Sequence, residues 1–225
     1  MLETITVNPN TRTSHILFFD HLDITGDRVV PLFGPNGVGK STLIKQLEDR
    51  KDLTIKTNGV PTKFYSYQNA RDNFKIRQPR SYMESFDPGF MSARFSAQSI
   101  SEGQSIIYSM FDLLDGLKAN QPLAPEPGQD ALILLDEIDS GMSIDNIDTT
   151  MKKIKNLIQK NEHLQFIFSF NSPRVLKHFP RVLSMYDGAF IELHSDEDML
   201  SEIRKHKSTF DKARKNSRGR PKIID

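Results

Sequence analysis

The stretch "VVPLFGPNGVGKSTLIKQL", residues 29–47, decides the fold. Val29 to Phe33 read as a short buried strand, and from Ser41 onward Leu43, Ile44 and Leu47 share one face of a helix. Between them, Gly34 to Ser41 spell G-x-x-x-x-G-K-S. Glycines in such a loop let backbone N–H groups converge on phosphate oxygens, and the helix that follows adds the positive end of its dipole. Gly34, Pro35, Asn36, Gly37, Val38, Gly39, Lys40, Ser41 and Thr42 are therefore the candidate phosphate-binding set. Lys40 would neutralise the outer phosphates, and the Ser41 hydroxyl would sit on Mg²⁺.

A second stretch, "ALILLDEIDSG" from Ala131, complements the first. Ala131 to Leu135 form the continuous apolar run of a strand covered on both faces of a parallel sheet. The run ends in Asp136 and Glu137. Asp136 would hold Mg²⁺ through its water shell, and Glu137 would polarise an attacking water.

Between these two lies "ISEGQS", residues 100–105, at the start of a segment in which Ile106, Ile107, Met110, Leu113, Leu114 and Leu117 follow helical spacing. Ile100-Ser101-Glu102-Gly103-Gln104 aligns without a gap on L-S-G-G-Q, the signature of the ABC-type ATPases, and here the chain resembles that family. The resemblance implies that Ser101, Gly103 and Gln104 cap the γ-phosphate of ATP held by a second subunit. A plain helix N-cap at Ser101 is the other reading. Glu102 departs from the signature and brings negative charge towards bound phosphate.

Further motifs extend the resemblance over residues 14–195. Gln68, ending "KFYSYQ", resembles the family's glutamine that reaches Mg²⁺ and the attacking water. "LQFIFSFNSP" resembles its last core strand, where the switch histidine is replaced by Asn171, which can hydrogen-bond but cannot take a proton. In "IDSGMSID" Ser143 stands where the family has Asp, with Asp145 a substitute. Upstream of the loop, Arg12 and His15 are the candidates for stacking on adenine, against a plain loop. An aromatic cluster with Phe90 and Phe95 reads either as the core of a small lobe or as a partner-facing surface.

The implied fold is α/β: a P-loop NTPase sandwich of the ABC type, with a mostly parallel core sheet, antiparallel strands and a short helical lobe. Residues 1–200 would form the ATP-binding domain, with the lobe at about 70–119, and residues 201–225 a flexible basic tail. Ser101 follows Lys40 by 61 positions. Transporter-type members place a longer lobe in that interval, and chromosome-maintenance members a coiled coil. The implied type is a minimal soluble ATPase, associated with phages and mobile elements.

Composition excludes several classes. There is no Cys, hence no disulfide or thiolate metal site. No apolar run approaches membrane-spanning length and the first residues are not a secretory signal, so the expected location is cytoplasmic. The net charge of +1 hides a tail with nine basic and three acidic residues. In it, Arg218-Gly219-Arg220-Pro221 resembles an AT-hook, which implies extended backbone along an A·T-rich minor groove; a solvated basic tail is the bland reading. The expected cofactors are ATP and Mg²⁺. The expected partner is a second copy or another ATPase, with DNA contact through the tail. Two other roles fit the same motifs: a regulatory module with negligible hydrolysis, and the ATP-binding subunit of a membrane transporter.

Overall fold

The computed structural model describes residues 1–11, 13–49, 51–68, 102–121 and 123–218. Within them, two sheets share one hydrophobic core. The larger has six strands: β3 (Val29–Phe33), β5 (Thr62–Gln68), β6 (Asp130–Asp136), β7 (Leu164–Ser169), β8 (Arg181–Ser184) and β9 (Phe190–Glu192). Their spatial order is β5-β6-β7-β3-β8-β9, parallel except for β9. The smaller is antiparallel, β2 (His21–Asp23), β1 (Leu2–Val7) and β4 (Leu53–Thr57) in that order. This is the fold class the sequence implies: a parallel core sheet with added antiparallel strands. Among the described residues, no helix is long and apolar enough to cross a membrane.

The central strands read as they do because both faces are covered. Every residue of β7 is buried, as are Asp130 to Leu135 of β6. Helix α1 (Lys40–Asp49) packs on β6 and β7. Its Leu43, Ile44 and Leu47 are fully buried, each worth about 1.5–3 kcal/mol of apolar burial. A proline in a central strand removes a ladder donor. Pro31 pairs with Phe168 of β7, but the β8 ladder begins only at Leu32, so the missing N–H lies where no strand pairs. A buried amide joins the sheets: Gln165 accepts the Leu2 N–H at 2.8 Å and donates to the Leu2 carbonyl at 3.1 Å.

Helix α2 spans Glu102–Gly116 and α3 spans Ile144–Lys160. The stripe of Ile147, Met151, Ile154 and Leu157 on α3 is buried, and Ser143 caps its N-terminus with Asp145 in the first turn. A short 3₁₀ helix, Pro173–Lys177, follows β7, and an Asp187-Gly188 turn (Gly188 φ +72°) links β8 to β9. Residues 70–101, most of the expected lobe, lie outside the described residues, with Phe90 and Phe95 among them.

In the segment expected as a basic tail from residue 201, a helix α4 runs Asp196–Arg218. A reciprocal cap starts it: the Asp198 carboxylate accepts the His194 and Ser195 N–H groups, and Ser195 Oγ accepts the Asp198 N–H. Met199 and Ile203 pack on the core, and His206 stacks on Tyr186 with ring centroids 4.5 Å apart. These fall at i, i+4 and i+7, a stripe that the basic composition hides. The backbone is helical as far as Arg218, the last residue before Gly219, in a run that no Gly or Pro interrupts. Gly219, Arg220 and Pro221 lie outside the described residues.

Candidate functional site

The parallel strands deliver their carboxyl ends to one edge, where ligands of open α/β sheets bind. β3 ends at Phe33, β6 at Asp136, β7 at Ser169 and β5 at Gln68. Gln68 is in register with Asp136, and Leu32 with Ser169. The sequence therefore needs only its strand ends to bring distant motifs together.

The loop from β3 to α1 has backbone that only glycine adopts freely. Gly37 and Gly39 have φ of +86° and +105°. A Cβ on Gly39 would also lie 2.8 Å from Leu17 Cδ2, so the loop is packed against residues 16–17 as well as turned. His15 ends a 3₁₀ turn, Thr13–His15, beside this segment and is exposed; Arg12 lies outside the described residues. No acidic residue occupies the first turn of α1, so its N-terminus keeps its attraction for anions.

Lys40 is buried, with its ammonium folded back over the loop. It donates to the Gly34 carbonyl, to Pro35 O at 3.5 Å and to Asn171 Oδ1 at 3.4 Å. Burial lowers its pKa, and the negative charges of Asp136, Asp139 and Glu137 oppose that shift.

Asp136 Oδ1 accepts hydroxyls from two directions: Ser41 Oγ at 3.1 Å and Ser169 Oγ at 2.6 Å. Ser169 Oγ also accepts the Glu137 N–H at 2.6 Å. Glu137 has φ +49°, a left-handed conformation that costs a residue with a side chain about 1–2 kcal/mol. Ser41 and Asp136 together present hard oxygens, the donors Mg²⁺ prefers. Among the described residues, no group of three or more His, Cys, Asp or Glu could hold a metal alone. Two such oxygens fit Mg²⁺ as part of a shell completed by other oxygen donors.

Asn171 is exposed at the end of β7, and its backbone is fixed by a buried carboxylate. Asp139 Oδ2 accepts the N–H groups of Asn171, at 2.8 Å, and of Ser172. The structure thus brings together Lys40, Ser41, Asp136 and Asn171 through hydrogen bonds, with Glu137 adjoining Asp136 and Gln68 placed in register by its backbone. Gly103 and Gln104 lie in the first turn of α2, at its N-terminus as the spacing expects; Ser101 lies outside the described residues.

Two residues of the site are not singled out by the sequence motifs. Ser169 and Asp139 are buried polar groups bonded directly to site residues. Each has a signal in the sequence. Ser169 is a hydroxyl that closes the apolar run Phe166–Phe168, and Asp139 is a third acid shortly after the acidic pair.

No family model and no curated protein matches the sequence. Solved structures do show similarity. The ATP-binding cassette MJ1267 of an ABC transporter is 16% identical, over 93% of this chain and 97% of that one, with a TM-score of 0.47. A nucleotide-free ATP-binding cassette from an ABC transporter is 15% identical, over 91% and 96%, with a TM-score of 0.44. A chain in the complex of an archaeal ribosomal stalk protein with an archaeal ribosome recycling factor is 15% identical, over 82% of this chain and 36% of its own length, with a TM-score of 0.43.

Proposed function

We propose that this chain is a soluble ABC-type ATPase that binds ATP with Mg²⁺ and hydrolyses it to ADP and phosphate. Two copies, or one copy with another ATPase, would close head to tail around the nucleotide, and closure would act on nucleic acid or a partner protein. The observation that carries the reading is a pair of hydrogen bonds from the consecutive residues 40 and 41, Lys40 to Asn171 and Ser41 to Asp136, at the end of a glycine-shaped loop, with Glu137 next to Asp136.

In this reading the N–H groups of residues 36–42 and the α1 dipole hold the β- and γ-phosphates. Lys40 exchanges its loop carbonyls for phosphate oxygens. Ser41 and Asp136 would hold Mg²⁺, which would supply positive charge to the phosphate oxygens. Glu137 and Gln68 orient the attacking water, and Glu137 accepts its proton. Asn171 donates a hydrogen bond to the γ-phosphate. From the second subunit, Ser101, Gly103 and Gln104 complete the phosphate shell.

A second reading, a regulatory module with negligible hydrolysis, is favoured by Asn171 at the switch position, since an amide can donate a hydrogen bond but cannot take up a proton. Sizing of the Glu137→Gln variant with and without ATP separates the two. An ATPase gives a dimer that persists with ATP, a monomer without it, and no turnover. Parental turnover in Glu137→Gln removes Glu137 as the base. A parental protein that binds ATP with no turnover establishes the regulatory reading.

A further inference from the structure

Ser169 is fully buried at the end of a strand whose other residues are also buried, a position where alanine would satisfy packing. Its hydroxyl has one hydrogen and two lone pairs. The Glu137 N–H can only donate, so Ser169 Oγ must accept it, at 2.6 Å. The single hydrogen then goes to Asp136 Oδ1, also at 2.6 Å, a short bond of the charge-assisted kind. The directions are forced, and both run to consecutive residues, 136 and 137, from a neighbouring strand. One bond fixes the rotation of a carboxylate; the other pins a backbone held at φ +49°.

We infer that Ser169 is the positioning residue of the metal end of this site: its hydroxyl holds the Asp136 carboxylate at the angle that meets Ser41, and locks the turn that aims Glu137. This rests on the proposed reading of Asp136 as a Mg²⁺ ligand. Groups that orient metal ligands commonly account for 10- to 100-fold in metal affinity. A hydroxyl that merely satisfied a buried N–H would affect stability and leave metal affinity alone.

The test is binding of a fluorescent ATP analogue to the full chain, titrated with Mg²⁺, beside the same binding in EDTA and a melting curve. In Ser169→Ala the Mg²⁺ concentration for half-maximal enhancement of binding rises by about tenfold, while affinity in EDTA is unchanged. Ser169→Thr keeps the hydroxyl on a residue suited to a strand and restores the parental midpoint. Because a further methyl can strain a filled core, a second arm uses Asp136→Asn as background: there Ser169→Ala causes no additional shift. An unchanged midpoint in Ser169→Ala, or an equal shift with and without Asp136, overturns the inference and leaves the ATPase reading standing. A parental protein that binds no nucleotide overturns both.

Discussion

Two polar clusters tie residues that follow β7 to other parts of the chain, and they are built in opposite ways. In one, Asp148 on α3 receives Arg174 Nε at 2.9 Å, a second Arg174 nitrogen, and His178 Nε2 at 2.9 Å. These partners, Arg174 first, hold its carboxyl well below the ordinary carboxylate range. In the other, Lys40 donates to two carbonyls and an amide oxygen, and Asp136 accepts two hydroxyls. The first cluster matches charge with charge and closes on itself. The second satisfies charges with neutral groups, which in the proposed reading give way to phosphate and metal. Opposite charge in direct contact marks a brace; formal charges surrounded by neutral dipoles mark a site.

Lys40→Ala breaks that comparison most sharply. Without the ammonium, two hydrogen bonds to phosphate cannot form. At about 1.5–3 kcal/mol each, their absence weakens ATP binding by roughly 100-fold or more. The same substitution removes a cation that burial disfavours, so the melting temperature without nucleotide stays level or rises. Calorimetric binding and a melting curve together check both halves. A lower melting temperature with intact binding would make Lys40 a brace.

Asn171→Ala is the intermediate case. Its side chain touches Lys40 while its backbone is held by Asp139. If the amide bonds the γ-phosphate, steady-state turnover falls by about 10- to 100-fold, and Asn171→His changes it little. Unchanged turnover in Asn171→Ala would leave the residue as the end of a strand only.

The contrast also explains what is legible in the sequence. The loop between β3 and α1 is legible because its glycines, Lys40 and Ser41 sit in one uninterrupted stretch whose chemistry dictates its backbone. Asp136 and Glu137 are legible because an apolar strand stops on them. Ser169 and Asp139 are not, because their roles depend on which strand lies beside β6, and that is a property of the sheet. Helix α4 is hidden for a different reason. Its charge density reads as disorder, while the anchors Met199, Ile203 and His206 are too sparse to register until Tyr186 and the core are in place. The Asp148 brace is invisible for the same reason as Ser169: 26 positions separate it from Arg174 in sequence.

The smallest effect on nucleotide binding belongs to Asp148→Ala, and it sharpens the comparison from the other side. Among the described residues, Asp148 shares no hydrogen-bond partner with Lys40 or Asp136, so ATP affinity should change by less than about threefold. Stability should respond instead. The substitution leaves Arg174 and the mostly buried His178 without their common carboxylate, and the melting temperature at neutral pH falls. The pH dependence identifies the cause. Asp148 titrates lower in the folded chain than in the unfolded one, where a carboxyl titrates near about 3.9. Its contribution is therefore fully present above that value and is lost progressively as the pH falls below it. Melting curves of the parent and of Asp148→Ala should thus be well separated at neutral pH and converge in acid. A separation that persists unchanged to low pH would mean that the side chain acts through packing, and the brace would then be no more ionic than the site it is compared with.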